Sequence, residues 1–196
     1  MLDQINTHET HQSDGKDWIA RELEAQQLTS QSTNSMVEKT AAASDTSKKH
    51  DSPGELSEKI AGRFDTANIS AALSEAMNKG VPLFVQIGEK WCPHCQRMAS
   101  NVLPALEGSI DKSGKPVKGE LQGKAIFLHL DFDQSKTLSG PDAQLAEQLR
   151  QNVEGFPTFR VYNIDKKGNV NQAGETSGEM SKEELEKFLQ SVGIKK

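Results

Sequence analysis

Two apolar runs of strand length dominate the hydropathy pattern of the chain. They extend from Val81 to Ile87 and from Ala125 to Phe132, and Gln86 and His129 interrupt them. Runs that are apolar along most of their length are typical of strands covered on both faces of a sheet. The pattern therefore predicts two central strands between layers of helices.

Two shorter apolar segments predict a hairpin further along the chain. Thr158 to Tyr162 and Val170 to Ala173 lie on either side of the turn sequence Asp165 to Asn169. Two strand-like runs around a polar turn that contains glycine indicate antiparallel pairing. Pro157 precedes the first of these strands, a position that requires a sheet edge, a bulge or a cis peptide bond.

Helical spacing of apolar residues predicts helices between and after these strands. The first helix begins at Asp65 or Thr66, and Gly80 ends it. Ser181 and Glu184 have the spacing of a capping box in front of the last helix. In order, the predicted helices cover 66–79, Cys92 to Val102, Pro141 to Gln151 and 182–192.

The first 57 residues differ in composition from the remainder. They contain ten acidic and five basic side chains, fourteen serines and threonines, and only seven Leu, Ile or Val residues. Because so few apolar residues do not offset the ordering cost of a core, residues 1–57 are predicted to be a disordered acidic tail and linker. A short helix at 17–28 is the exception, predicted to fray, with a docking role as the alternative. The folded domain is predicted to cover 58–196.

The charge distribution excludes some partners. Residues 58–196 carry eighteen acidic and eighteen basic side chains, so the net charge of −5 comes from the tail. A nucleic-acid partner is not expected, since it would require a basic excess. No apolar run reaches the roughly 18 residues of a membrane span, and residues 1–6 lack signal-peptide character. The location is predicted to be cytoplasmic if Met1 is the native start and periplasmic or otherwise extracytoplasmic if a targeting segment was removed. A monomer is expected.

The two cysteines of the chain, Cys92 and Cys95, carry its clearest chemistry. The preceding strand delivers Cys92 to the first turn of a helix, where unpaired N–H groups and the helix dipole favour a thiolate. Cys95 lies one turn further on, so the two sulfurs can close a small disulfide ring. Cys92 is therefore the predicted outer nucleophile. Cys95 is the predicted resolving thiol, which attacks the mixed disulfide and releases the substrate.

The neighbouring residues support a redox interpretation of Trp91-Cys92-Pro93-His94-Cys95. Pro93 suits the first helical turn, where its missing N–H costs nothing. His94 is predicted to tune Cys92 by donating a hydrogen bond or a positive charge toward its thiolate. Trp91 and Pro93 are expected to shape the surface where a substrate docks. This chemistry needs no metal and no bound cofactor.

Three other interpretations of the cysteine pair stay open. Zinc usually takes four ligands, but there is no second CxxC, and His8, His11, His50 and His129 lack finger spacing. A purely structural disulfide would close a very small loop, which limits its stabilisation. Metal transfer by two thiols would favour a soft monovalent ion. Redox exchange fits the sequence better than any of these.

Taken in order, these elements resemble the thioredoxin fold over residues 58–196. The stretch 108–123 is an addition, predicted to be an exposed loop, with a short helix at its start as an alternative. The resemblance includes the cysteine motif, the strand end His129 to Asp133, the segment Gly155 to Thr158, and Gly178 to Lys182 before the last helix. It implies an α/β fold with a mixed sheet of four or five strands flanked by helices.

The resemblance also implies roles for residues outside the cysteine motif. Pro157 is expected to be cis and to face the disulfide, with the backbone of Phe156 free to pair with an extended substrate. Gly178 is expected to allow the substrate to approach closely. Where many members have a buried carboxylate that assists proton transfer from the resolving thiol, this chain has Gln86, which cannot take a proton. His129 corresponds to a buried lysine of the family and is a candidate base instead.

These features together predict a thiol–disulfide oxidoreductase acting on protein disulfides or dithiols, with an unidentified reductase or oxidase as its redox partner. The Pro93-His94 dipeptide resembles that of periplasmic disulfide oxidases, whereas the compact layout resembles reducing thioredoxins. The direction of electron flow is therefore left open. The alternative is a redox-dependent binding or sensor module that its N-terminal tail recruits, with little turnover.

Overall fold

The structure is a computed structural model that describes residues 62–196. The predicted tail at 1–57 and its helix at 17–28 lie outside the described residues. The strands are β1 (Arg63–Asp65), β2 (Leu83–Gly88), β3 (Gly108–Ile110), β4 (Pro116–Lys118), β5 (Ile126–Asp131), β6 (Thr158–Ile164) and β7 (Val170–Ser177). The helices are α1 (Ile69–Lys79), α2 (Pro93–Asn101), α3 (Leu103–Glu107), α4 (Phe132–Ser135), α5 (Pro141–Arg150) and α6 (Lys182–Ser191).

Five of the strands form one mixed sheet in the order β1-β5-β2-β6-β7. β2 is parallel to β5 and antiparallel to β6, so it lies at the centre of the sheet. Every residue of β2 is buried, as its apolar run predicts. The prediction of a mixed sheet flanked by helices is confirmed, with five strands.

The two faces of the sheet carry separate hydrophobic cores, because successive side chains of a strand point to opposite faces. Val85 and Ile87 belong to the core that α1 and α5 cover. Phe84 belongs to the core under α2, α3 and α6, where its ring centroid lies 5.7 Å from those of Phe127 and Phe159. Gln86 alternates with Val85 and Ile87, so it occupies the α2 side of β2.

Local signals fix the ends of several helices. Gly80 ends α1 with a φ of 64°, in the left-handed region that glycine adopts without steric penalty. Ser181 and Glu184 form the predicted capping box at the start of α6. At α2, the residue in the N-cap position is Cys92 itself. The N-terminus of α2 is thereby placed directly beyond the end of β2.

The stretch 108–123 differs from the predicted exposed loop. It contains a hairpin in which Gly108 pairs with Lys118 and Ile110 with Pro116. Asp111 organises the turn, since its Oδ1 accepts from the backbone N–H of Ser113 at 2.8 Å. The short helix, α3, lies before this stretch instead of at its start. None of the helices within 62–196 is long and apolar enough to span a membrane.

Candidate active site

The two thiols meet at the N-terminus of α2. Cys92 Sγ accepts from the backbone N–H of Cys95 at 3.2 Å, and the two sulfur atoms lie 2.6 Å apart with the Cys95 thiol as donor. Both residues are unbridged and buried, with 4% of Cys92 and 6% of Cys95 exposed. Exposure therefore does not distinguish an outer sulfur from an inner one. The hydrogen bonds do, because both are directed toward Cys92.

The electrostatics of Cys95 also separate the two thiols. Burial, followed by the hydrogen bond to the Cys92 side chain, raises the pKa of Cys95 to about 12. At neutral pH this sulfur is protonated and must lose a proton before it can attack a disulfide. Cys92 is thus the sulfur that the structure stabilises as an acceptor, and Cys95 is the one that requires a base.

A close approach of backbone to sulfur positions Cys95. A side-chain carbon at Gly88 would lie 3.0 Å from Cys95 Sγ, closer than such contacts normally allow. Gly88 is the last residue of β2, and Ile87 pairs with Thr158 of β6. The end of β2, the motif and the start of β6 therefore meet at one edge of the domain.

The segment before β6 forms the second wall of this edge. The Phe156–Pro157 peptide bond is cis, the isomer that the resemblance implies. The carbonyl of Pro157 accepts from the N–H of Gly178 at 2.8 Å, which joins this segment to the loop after β7. Trp91 is 68% exposed, and its ring meets that of Phe156 edge to face at 6.3 Å. An exposed aromatic surface therefore borders the buried thiol pair.

A cleft of about 460 Å³ adjoins the buried Cys95 thiol. Cys95, Gln86, Glu89 and His129 are among the residues that line it. Gln86 pairs with His129 across β2 and β5, so the two polar interruptions of the apolar strands are neighbours. Gln86 Oε1 is buried and has no hydrogen-bond partner in the structure. The Gln86 amide is therefore not fully hydrogen-bonded among the described residues.

His129 is engaged by a carboxylate that the sequence analysis did not identify. Its Nε2 donates to Glu107 Oε2 at 2.6 Å, and Arg63 Nη1 lies 3.4 Å from the other oxygen of Glu107. Burial acts to raise the pKa of Glu107, but the charge and hydrogen bond of His129 and the charge of Arg63 outweigh it, so the pKa is lowered. Only Nδ1 of His129 is left for a proton-transfer role.

Glu89 is a second functional candidate, and no sequence motif indicates it. It is buried beside the cleft, and its carboxylate accepts from the backbone N–H of Asp133 at 2.8 Å. Burial first, and then the negative charge of Asp131, raise the pKa of Glu89. Its main chain is also bonded to the cysteine motif, because the Cys92 N–H donates to the Glu89 carbonyl at 3.1 Å.

His94 contacts a charged pair. Its Nδ1 lies 2.7 Å from Glu179 Oε2 and 2.8 Å from Arg97 Nη2, while no hydrogen bond joins it to Cys92 within 62–196. Arg97 and Glu179 form two further hydrogen bonds of 2.6 Å. The Arg97 guanidinium, followed by His94, lowers the pKa of Glu179 to about 2. We call these three residues the ionic clamp.

The residues that the sequence analysis selected thus fall into two groups around the thiols. Exposed Trp91, half-buried Phe156 and Gly178 and buried Pro157 lie along one edge, and Gln86 and His129 line the cleft. Pro93 is the first residue of α2. Within residues 62–196, no group of three or more His, Cys, Asp or Glu side chains is placed to hold a metal ion.

Comparison with known sequences and structures gives matches to thioredoxin-like proteins. The sequence model of a family described as a thioredoxin-like domain matches residues 69–193. No curated protein matches. A solved thioredoxin from Thermus thermophilus is 25% identical, with a TM-score of 0.45, over 63% of this chain and 82% of that one. A Plasmodium falciparum thioredoxin is 16% identical, with a TM-score of 0.42, over 65% and 84%. A poplar thioredoxin h is 19% identical, with a TM-score of 0.44, over 66% and 93%.

Proposed function

This chain belongs to the thioredoxin-like domain family, and from that premise we propose that it is a thiol–disulfide oxidoreductase acting on protein substrates. The observation that carries the proposal is the pairing of the two thiols at the start of α2. Cys92 Sγ accepts from both the N–H and the thiol of Cys95, which stabilises a negative sulfur there. Cys92 is accordingly the nucleophile and Cys95 the resolving thiol.

The exchange proceeds in two displacements. In the reducing direction, the Cys92 thiolate attacks one sulfur of a substrate disulfide, the substrate S–S bond breaks, and the second substrate sulfur leaves as a thiolate. Cys95 then loses its proton and attacks Cys92 Sγ. The mixed disulfide breaks, the Cys92–Cys95 disulfide forms, and the first substrate sulfur leaves. The reverse sequence oxidises a substrate dithiol.

The second displacement requires a proton acceptor near Cys95. Because its pKa is about 12, Cys95 does not ionise by itself at neutral pH. The cleft is large enough for water, and Glu89 and His129 are among the titratable groups that line it. We assign the acceptor role to Glu89, since Glu107 already binds Nε2 of His129. If His129→Gln alters the pH profile of the second displacement while Glu89→Gln leaves it unchanged, the proton acceptor is His129 instead.

The exposed edge of the site provides the docking surface in this proposal. Trp91 and Phe156 form an aromatic ridge, and aromatic residues of this kind are common anchors at protein interfaces. Buried Pro157 and half-buried Gly178 adjoin this edge and are joined by a hydrogen bond. The backbone of Phe156 is the proposed partner for an extended substrate strand.

Two matched variants test the function. With insulin as a model disulfide substrate, Cys95→Ser should accumulate a mixed disulfide at Cys92 that appears on non-reducing gels and is cleaved by dithiothreitol. Cys92→Ser should form no such adduct and should lose turnover. Adduct formation through Cys95 in the Cys92→Ser protein, or turnover retained by either variant, would contradict the assigned roles.

The same assay separates the proposal from a binding or sensor module. Wild-type protein that binds a partner through residues 1–57 but shows negligible turnover would favour the module. The reduction potential, measured by equilibration with glutathione, then gives the direction of electron flow. A value near about −270 mV is that of thioredoxin-like reductants, and one near about −120 mV is that of strong periplasmic oxidants.

A further inference from the structure

We propose that Glu179 is a positioning residue that lowers the reduction potential of the thiol pair by holding Arg97 and His94 in the ionic clamp. The inference rests on the proposed function, because it concerns the same two sulfurs. It assigns the control of their potential to a carboxylate from the loop between β7 and α6. That loop is distant in sequence from the cysteine motif.

The first observation is the bidentate geometry between Arg97 and Glu179. Arg97 Nε donates to Oε1, and Arg97 Nη2 donates to Oε2, each at 2.6 Å. Paired, charge-assisted bonds of this type fix both distance and orientation. The hydrogen bond to Glu179 is the main cause of the raised pKa of Arg97, and the negative charge of Cys92 raises it further. Arg97 is thus bonded to the carboxylate, while the negative charge of Cys92 acts on it without a hydrogen bond among the described residues.

The second observation concerns His94. A ring nitrogen can donate one hydrogen or accept one, so Nδ1 can serve Glu179 or Arg97 but not both at once. In either arrangement this nitrogen is directed into the ionic clamp and not toward Cys92. With His94 neutral, the clamp carries one positive and one negative charge. Cys92 therefore has a neutral cluster beside it instead of an unopposed cation.

The consequence for the potential follows from the charges of the two redox states. The disulfide is neutral, whereas the reduced pair carries a negative charge when Cys92 is a thiolate. A carboxylate that neutralises the nearby cation disfavours only the reduced form. Removing the Glu179 charge while leaving Arg97 in place should stabilise the reduced form and make the disulfide a stronger oxidant.

The position of the clamp relates it to the docking edge. Glu179 directly follows Gly178, whose N–H is bonded to the Pro157 carbonyl. The clamp therefore ties the start of α2 to the loop that carries Gly178. Two further groups contact Cys92: the Cys95 thiol on α2 donates to its Sγ, and the Glu89 carbonyl on the preceding loop accepts from its N–H. Among the carboxylates of residues 62–196, Glu179 alone is bonded to Arg97 and His94.

The test is the equilibrium constant of the Cys92–Cys95 pair with glutathione, measured for the full chain and for Glu179→Gln. We expect the variant to be three- to tenfold more oxidising, a shift of about 15 to 30 mV in potential. Glu183→Gln is the matched control, because Glu183 is an exposed carboxylate in the first turn of α6. It should leave the constant unchanged. An unchanged constant in Glu179→Gln, or an equal shift in the control, would overturn the proposal.

Two further measurements separate a charge effect from a general disturbance. Arg97→Met should shift the constant in the opposite direction, since it leaves Glu179 beside the thiolate without its cation. The effect of Glu179→Gln should vanish at a pH where Cys92 is protonated in both proteins. Shifts of the same sign in Glu179→Gln and Arg97→Met would contradict the inference. So would a shift in Glu179→Gln that persists where Cys92 is protonated. The potential is measurable even if turnover is absent, so failure of the proposed function is distinguishable.

Discussion

Glu107→Gln is the substitution that best separates structural from chemical roles around the cleft. Glu107 is 1% exposed, and its oxygens meet His129 at 2.6 Å and Arg63 at 3.4 Å. Glutamine preserves the shape of the side chain and can still accept from His129. The substitution therefore removes the charge and little else.

The expected loss of stability follows from these contacts. Hydrogen bonds to charged groups contribute about 1.5–3 kcal/mol and neutral ones about 0.5–1.5, so the bond to His129 weakens by about 1–2 kcal/mol. Arg63 and His129 lose the charge that opposes theirs. Their side chains are 23% and 21% exposed, so water offsets part of the roughly 3–5 kcal/mol seen when a fully buried pair is broken. We expect a total of about 2–3 kcal/mol.

The pH dependence of this loss has a definite sign. The pKa of Glu107 is lowered in the folded state, so its charge stabilises the fold above the ordinary carboxyl value of about 4.3. That contribution is lost as the pH falls through the lowered folded value. Glu107→Gln has no such contribution to lose. The difference in stability between wild type and variant should therefore narrow below about pH 4.

Urea unfolding followed by circular dichroism at pH 7 and at pH 3 measures both effects. Glu154→Gln, which replaces an exposed carboxylate, is the control and should change little. A loss below about 0.5 kcal/mol, within the range of ordinary surface substitutions, would refute the role given to the buried contacts. A difference in stability between wild type and Glu107→Gln that is the same at both pH values would also refute it. Unaltered exchange kinetics in Glu107→Gln would identify the His129 pair as structural.

Other predictions follow from the same structure. Gln86→Glu puts a carboxylate on the cleft beside Cys95 and should alter the pH profile of the resolving step; an unchanged profile and unchanged exchange kinetics would argue against a missing proton relay. Gly119→Ala should destabilise the domain by about 3 kcal/mol in thermal or urea unfolding, since a side-chain carbon there would lie 2.2 Å from the backbone nitrogen of Gly108. Gly155→Ala should not destabilise the domain, since a side-chain carbon there would have no atom within 4 Å. Ser181→Ala should cost about 1 kcal/mol through the lost cap of α6, and a cost near zero would contradict that role.

The elements with strong local signals were predictable from the sequence. The continuous apolar run before the cysteines became β2, because a strand buried on both faces needs apolar residues at every position. Gly80 and Ser181 ended and began helices where their chemistry requires it. β1 and α4 were missed because three or four residues are too few for any periodicity. The hairpin of 108–123 was missed because its glycines also fit an open loop.

The thiols could be found from the sequence, but the groups that control them could not. Cys92 and Cys95 are neighbours on one helical turn, so their spacing alone brings them together. Glu89, Glu107 and Glu179 reach the site through tertiary packing from three separate segments. Each is a glutamate in a polar or mixed context, where a solvated surface residue is the usual outcome. Their sequence positions therefore contain no sign of the contacts.

Because these glutamates reach the site through tertiary packing, the Pro93-His94 dipeptide alone is a weak indicator of the direction of electron flow. Its association with oxidising disulfides assumes that His94 acts on the Cys92 thiolate, yet here Nδ1 of His94 contacts Glu179 and Arg97. The thiolate is favoured by the N-terminus of α2 and by Arg97. It is opposed by Glu179, the carboxylate that binds Arg97. Since these contributions act together on one charge, the dipeptide alone does not set the potential. Glu179 shifts it toward the reducing range, the direction that the compact layout of the domain also favours.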